Sequence, residues 1–177
     1  MLKRNPHRPA HLLLDSSAYF ITGSIYEKRH LLDDDLKNDL INLMKQEFAR
    51  CNWDFSHWVI LDNHYHVMVN SFKGEDLPKI IGRLHFKSGK LIRKKVISQS
   101  PIWWNYWDYC PRNEKDYFVR LNYLLNNPVK HGYVEKLNAY PYSSFHQYLG
   151  RHGREELVSQ FKKHPEYQRI ELENDDF

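Results

Sequence analysis

Two hydrophobic periods alternate along this chain and divide it into predicted strands and helices. Four segments are rich in β-branched and aromatic residues and are bounded by turn formers, which predicts strands. These strands are expected over residues 18–26, 55–61, 64–70 and 102–109. A fifth strand or a loop is expected after residues 130–134, leading to Tyr140.

Apolar residues recur at helical spacing between these strands and after them. They predict long helices over residues 34–51 and 76–96, a third helix that starts after Asn113, and shorter helices over 143–149 and 154–163. Pro128 is expected to end the third helix at Asn127, because proline disfavours helical geometry in the residue before it. Gly150 and Gly153 are expected to separate the last two helices.

The length of 177 residues predicts one domain with a core large enough to fold without disulfides. We expect a flexible basic arm over residues 1–10, one main folded domain over 11–150, and a C-terminal helix with an acidic tail over 151–177. Cys51 and Cys110 form no CxxC pair, which favours a reducing compartment and excludes a zinc cluster of that type. With no signal-peptide core and no apolar run near ~20 residues, the chain is expected to be cytoplasmic and without a membrane partner.

The net charge is only +4, so the local clustering of charge matters more than the total. One stripe of the second long helix is basic throughout, and no acidic residue occurs between Asp76 and Asp108. A solvated helix face normally carries both signs, so this stripe favours a polyanion such as DNA or RNA over simple solvation. The stripe consists of Lys79, Arg83, Lys87, Lys90 and Lys94.

Two histidines stand two residues apart in the predicted strand 64–70. Successive strand residues point to opposite faces, so His64 and His66 share one face and can converge on one metal ion. The alternative interpretation is a pair of half-buried histidines beside a turn. The aromatic strand over 102–109 presents a similar choice between core packing and the stacking of unpaired bases.

The third helix carries a polar face opposite its apolar one, formed by Asp116, Arg120, Tyr123 and Asn127. The Asn127 carboxamide is a candidate third ligand, and two imidazoles with one neutral oxygen suit Mg²⁺ or Mn²⁺. The Tyr123 phenol is a candidate nucleophile toward a phosphate, and Arg120 is a candidate DNA contact. A phenol needs help to lose its proton; the candidates for that help are His57, Asp62 and Asp116.

Four segments in this order resemble the single-tyrosine HUH transposases, which include small insertion-sequence transposases and REP-associated tyrosine transposases. The resemblance covers roughly residues 11–149. Many members carry proline immediately before the Asn-His step, where this chain has Asp62. The four segments are Asn63-His64-Tyr65-His66, the aromatic residues 103–108, Tyr123-Leu124-Leu125-Asn126-Asn127-Pro128-Val129 followed by Gly132, and Tyr140-Pro141-Tyr142-Ser143-Ser144.

The resemblance implies a ferredoxin-like α+β fold, an antiparallel sheet of four to five strands with helices packed on one face. It also implies that His64 and His66 bind the metal with Asn127 as a further ligand, and that Tyr123 is the nucleophile. The tyrosine would cut single-stranded DNA beside a hairpin, keep the 5′ phosphate as a phosphotyrosine and free a 3′ hydroxyl, and a second 3′ hydroxyl would then rejoin the strands. One tyrosine holds one covalent end at a time, so a homodimer is one way to exchange strands.

Two other functions stay open at this point. The chain could be a non-catalytic hairpin-binding protein descended from such an enzyme, although no catalytic position has been lost. It could also be a replication-initiator or relaxase-type nickase that uses the same chemistry. Those nickases are usually parts of larger chains with a helicase or a second tyrosine, and neither feature is visible here.

Overall fold

The computed structural model describes residue 11, residues 13–97 and residues 100–172. The predicted basic arm over 1–10 and the last part of the predicted acidic tail, 173–177, lie outside the described residues. Within the described residues, no helix is both long enough and apolar enough to span a bilayer.

Four antiparallel strands form one sheet in the order β2-β3-β1-β4. Together with the first two helices this is the β-α-β-β-α-β order of a ferredoxin-like fold, which confirms the predicted class. The segment between Val134 and Tyr140 contains a short 3-10 helix, Leu137–Ala139, and no strand, so the described sheet has four strands. The elements are β1 (Ala18–Ile25), α1 (Asp34–Ala49), β2 (Asp54–Ile60), β3 (His64–Asn70), α2 (Leu77–Lys95), β4 (Trp103–Tyr109), α3 (Glu114–Lys130) and α4 (Phe145–Lys163).

Helices cover both faces of the sheet, whereas the sequence predicted helices on one face only. Tyr65 and Val67 point into a core shared with α1 and α2. Phe20 and Met68 point the other way, into a second core shared with α3 and α4. Both faces of the central strands are apolar. Without α3 one of these faces would be exposed to water, so the packing of α3 on it is favourable.

The third helix continues through Pro128 to Lys130 and does not end at Asn127 as predicted. Proline removes one helical N–H, that of residue 128 itself, and so costs a single backbone hydrogen bond. The final turn is closed by the N–H of His131, which donates to the carbonyl of Asn127 over 3.0 Å. This extra turn brings Lys130 onto the same side of α3 as Tyr123.

The last helix runs through Gly150 and kinks at Gly153, where φ is +78°. The domain boundary proposed between residues 150 and 151 therefore lies within α4. Beyond the kink, Gln160 donates a hydrogen bond to the Asn122 side chain over 2.6 Å, and Leu157 is buried in the second core. Residues after 150 thus pack against α3.

A buried carboxylate on α1 neutralises the middle of the basic stripe on α2. Glu47 is fully buried and accepts hydrogen bonds from Arg83 Nε over 2.6 Å and from Lys87 Nζ over 2.5 Å. Burial by itself would raise the pKa of Glu47, but the hydrogen bonds from Lys87 and Arg83 outweigh it and the pKa falls below 4.5. Two of the five stripe residues therefore join α1 to α2.

Replacing Glu47 with glutamine is expected to lower the free energy of unfolding at pH 7 by about 1–2 kcal/mol, because both cations keep contact with screening water. Glu47 has a lowered pKa in the folded state, so its contribution is fully present above pH 4.5 and is lost as the pH falls through the folded pKa. Urea unfolding at pH 7 and pH 4 would measure this, and the variant should differ less from the unaltered chain at pH 4. An equal difference at both pH values would contradict the ionic role.

Candidate active site

Both candidate histidines point from the central strand β3 toward α3. Met68, which is on the same face of β3 as His64 and His66, lies in the core shared with α3. Tyr65, between the two histidines, lies in the opposite core. The His64 and His66 rings stand 5.0 Å apart, centroid to centroid. The alternation predicted from the sequence therefore holds, and both histidines are buried rather than half-buried.

Asn63 fixes the tautomer of His64. The Asn63 amide donates to the carbonyl of Lys28 over 3.2 Å, and its oxygen lies 2.7 Å from His64 Nδ1. A carboxamide oxygen can only accept, so the proton of the neutral ring is on Nδ1 and Nε2 carries the lone pair. That Nε2 lies 3.1 Å from the Asn127 oxygen, which is also an acceptor.

His66 is held from β1. The Thr22 hydroxyl lies 2.8 Å from His66 Nδ1. Because a hydroxyl can donate or accept, this contact orients the ring, with Nε2 toward α3, but does not fix its tautomer. Burial lowers the pKa of His64 to about 3, with a further contribution from His131. Burial, and then the charge of His64, lower the pKa of His66 well below 6.5. Both rings are neutral at pH 7, which is the form that binds a metal.

The donor set fits a divalent cation. Adjacent ligands of an octahedral ion with bonds of about 2.1 Å stand about 3 Å apart, and His64 Nε2 and the Asn127 oxygen are 3.1 Å apart. One cation could therefore bind both atoms. The described residues contain no group of three or more His, Cys, Asp or Glu side chains suited to a metal, and the Asn127 carboxamide is the candidate third donor.

Tyr123 lies beside these histidines but is buried, with 1% of its surface exposed. Its ring packs edge-on against the rings of His66, at 5.4 Å, and of Phe20, at 6.1 Å. The side of α3 that carries Tyr123 therefore faces the sheet, and Tyr123 is itself part of the second core. The sequence placed Tyr123 outside the core, which is wrong because α3 is covered on both sides.

Lys130 contacts the phenol directly. Its Nζ donates to the Tyr123 hydroxyl over 3.1 Å and to the carbonyl of Ile170 over 3.3 Å. The ammonium also lies 4.7 Å from the centre of the Tyr123 ring. Lys130 was not predicted from the sequence, because the helix was expected to end at Asn127. The available signal was the seven-residue spacing from Tyr123, which is two helical turns.

The three residues suggested as helpers of the phenol are engaged elsewhere. Asp62 pairs with Lys37 over 2.6 Å. Asp116 accepts from the Tyr109 hydroxyl over 2.6 Å. His57 packs edge-on against Tyr148, with ring centroids 5.2 Å apart.

The predicted DNA contacts divide between the two faces of the sheet. Arg120 lies one turn before Tyr123 on α3, with its guanidinium 4.3 Å from the centre of the Tyr109 ring. The five stripe residues lie on α2, on the opposite face of the sheet, so the fold does not bring them to the histidines. Within the stripe, Lys79, Lys90 and Lys94 are exposed, and Arg83 and Lys87 pair with Glu47.

Sequence comparison assigns the class of protein that this fold and site suggest. The family described as "Transposase IS200 like" matches residues 15–112, more than half of the chain. The chain belongs to this family of IS200-like transposases, and the HUH resemblance seen in the sequence is confirmed.

Its relatives are REP-associated tyrosine transposases. A Haemophilus influenzae protein of that name is 28% identical over 142 residues, which cover 73% of this chain and 80% of that protein. The REP-associated tyrosine transposase of Escherichia coli is 31% identical over 104 residues, covering 56% of this chain and 58% of that protein. A solved REP-associated tyrosine transposase bound to a REP hairpin superposes with a TM-score of 0.69 at 23% identity, over 81% of this chain and 86% of that chain.

Proposed function

We propose that this transposase cuts and rejoins single-stranded DNA beside a hairpin through a 5′-phosphotyrosine on Tyr123. The observation that carries the proposal is the convergence of three groups from two elements: the histidine pair of β3, and the Asn127 oxygen and the Tyr123 phenol of α3. The similar structure that is bound to a REP hairpin supports hairpin DNA as the partner. All of these groups come from one chain, so a homodimer is not needed to complete the site and stays a prediction.

His64, His66 and Asn127 would hold Mg²⁺ or Mn²⁺. Bound there, such an ion would supply Lewis-acid stabilisation to a phosphate oxygen. The protein's own contribution is orientation: Asn63 and Thr22 hold the two rings so that both Nε2 atoms face α3. Partners of this kind keep ligands in place before the ion arrives.

Tyr123 would supply the nucleophile. Its phenolate oxygen forms a bond to phosphorus, and the bond from phosphorus to the 3′ oxygen breaks. The phenol releases one proton to solvent and the departing 3′ oxygen takes one up, so the step consumes no proton overall. Attack by a 3′ hydroxyl on the phosphotyrosine reverses these changes and rejoins the strands. Because the phenol is 1% exposed, its neighbours must move before a phosphate can reach it.

Lys130 would stabilise the phenolate, since a positive charge 3.1 Å from the oxygen favours the ionised phenol. Replacing Lys130 with methionine is expected to raise the pH at half-maximal adduct formation by about one unit and to slow the reaction at pH 7 about tenfold. Lys130→Arg keeps the charge and should restore most of the rate. The measurement is the initial rate of adduct formation between pH 6 and pH 10.

Lys136→Met, an exposed lysine beyond the end of α3, is the matched control and should follow the profile of the unaltered chain. If Lys130→Met slows adduct formation equally at every pH, Lys130 only holds the fold of this region. If its profile coincides with that of the control, Lys130 has no part in the reaction.

The test of the proposed function as a whole is a denaturing gel. The chain would be mixed with labelled single-stranded hairpin DNA from the flanks of its own gene, with Mn²⁺ or with a chelator. A protein–DNA band that survives denaturation and requires the metal is the expected result. Binding on a native gel without such a band would favour the hairpin-binding alternative.

A further inference from the structure

A cavity of about 280 Å³ opens beside the nucleophile, between β1, β4 and α3. Thr22, which holds His66, forms part of its wall, and so does Arg120, which lies one turn from Tyr123 on α3. The cavity and the candidate active site therefore share β1 and α3.

Three aromatic residues, Phe20, Trp107 and Tyr109, form half of the remaining wall. Phe20 of β1 pairs with Tyr109 of β4, and Thr22 pairs with Trp107, so these side chains stand together on the α3 face of the sheet. The Arg120 guanidinium lies 4.3 Å from the centre of the Tyr109 ring and 5.7 Å from that of Phe20. Flat rings beside a guanidinium are the surfaces on which proteins stack unpaired bases.

Two buried hydrogen-bond donors lie among these rings. Within the described part of the chain, Arg120 Nε and Trp107 Nε1 are buried and have no hydrogen-bond partner. A buried donor without an acceptor costs about 1–3 kcal/mol, so such donors normally meet a ligand or a water. Both are N–H groups and need an acceptor, which the edges of nucleobases and the oxygens of phosphates provide.

The size and charge of the cavity limit the ligand. A volume of about 280 Å³ lies at the small end of ligand pockets, which suits a single base or nucleotide and excludes a duplex. Glu171 also lines the cavity, so a phosphate is favoured only on the Arg120 side. The base, which is uncharged, is the part that fits among the rings.

We infer that this cavity binds one unpaired nucleotide of the strand on which Tyr123 acts, next to the scissile phosphate. The inference rests on the proposed function, because it assumes that the strand runs through the site. It assigns Trp107 and Arg120 the task of recognising a base, whereas the histidines and Tyr123 act on the phosphate. Filling this cavity would fix the register of the strand and hence the bond that is cut.

The experiment replaces one nucleotide at a time with an abasic site and measures only the affinity of binding. A hairpin from the flanks of the chain's own gene carries a short single-stranded extension at each foot, and each extension nucleotide in turn is replaced by an abasic site that keeps its phosphates. Binding is measured by fluorescence anisotropy with chelator present, so that the strand stays intact. One abasic position is expected to weaken binding between about fivefold and a hundredfold, which is the range for one stacked base.

The variants then connect that position to the cavity. In Trp107→Leu and Arg120→Gln, the same abasic site should cause less than about a twofold further loss, because the base contact is already missing. Trp107→Phe keeps an aromatic ring, so the abasic site should still cause most of the loss of affinity that it causes in the unaltered chain. Trp104→Leu is the matched control. Trp104 is an exposed tryptophan of the same strand, and its ring lies next to that of Tyr26, outside the cavity. The binding profile of this variant should equal that of the unaltered chain.

The outcomes separate this inference from the proposed function. A scan with no sensitive position, or with the same sensitive position in Trp107→Leu, Arg120→Gln and the unaltered chain, overturns the nucleotide site whether or not a covalent adduct forms. A sensitive position lost in both cavity variants supports it, even if no adduct is found. Thermal melting of each variant checks that a lost position does not reflect an unfolded chain.

Discussion

A Tyr123→Phe variant is expected to form no covalent adduct with single-stranded DNA, while it binds hairpin DNA as the unaltered chain does. Phenylalanine keeps the ring that packs against His66 and Phe20 but lacks the oxygen that would attack phosphorus. Loss of a nucleophile should slow cleavage by at least about 10⁴-fold. The lost hydrogen bond to Lys130 should cost about 1 kcal/mol of stability, which leaves the fold intact.

The position of the label makes this result specific. Because the 5′ phosphate stays on the tyrosine, a label at the 3′ end of the strand should migrate with the protein, and a label at the 5′ end should appear on a shortened strand with a free 3′ hydroxyl. Tyr117→Phe, on the same helix beside Phe118, is the matched control and should form the adduct normally. An undiminished adduct in Tyr123→Phe would assign the chemistry to another residue.

A His66→Gln variant is expected to lose the stabilisation that Mn²⁺ gives to the unaltered chain. At a metal concentration about one hundred times the dissociation constant, linkage predicts about 2.7 kcal/mol of stabilisation. An affinity loss of about 100-fold would reduce this to about 0.4 kcal/mol at the same concentration. Thermal melting with and without Mn²⁺ measures the difference without reference to activity, and cleavage should fall in parallel.

His85→Gln provides a control at a partly buried histidine far from the site. Its ring stacks on Trp103 and its Nε2 bonds the Tyr65 hydroxyl over 2.9 Å, on the opposite face of the sheet. This variant should be less stable than the unaltered chain but should keep the full stabilisation by Mn²⁺. If His66→Gln keeps it as well, or if chelator-treated protein still cleaves, the metal role of the histidine pair is wrong.

The strand pattern could be predicted in detail because it depends on neighbours in sequence. The alternation around His64 and His66 determines which face each side chain uses, and the spacing of Tyr123 and Asn127 places both on one side of a helix. The bounds of β3 coincide with the prediction, and those of α1 and α2 lie within two residues of it. These features follow from backbone geometry over a few residues.

The sequence was least informative where distant segments meet. The DNA-binding role of the basic stripe stays a prediction, and nothing near the stripe in sequence shows that Glu47 pairs with two of its members, Arg83 and Lys87. The helix was ended at Pro128 by a local rule, but the turn beyond it is held by packing and by the Lys130 contacts to Tyr123 and Ile170. Local helix preferences contribute less to stability than the burial of apolar surface that accompanies these contacts.

The sequence by itself determined the order of the elements, the faces of the strands and the residues that could bind a metal or attack a phosphate. Only the tertiary structure decided that α3 covers the second face of the sheet and brings Tyr123, Lys130 and Asn127 to the histidines. It also decided that Thr22 orients His66 and that Trp107, Tyr109 and Arg120 enclose a cavity. The physical reason is that periodicity is a property of adjacent residues, whereas these contacts arise from the burial of both apolar sheet faces at once.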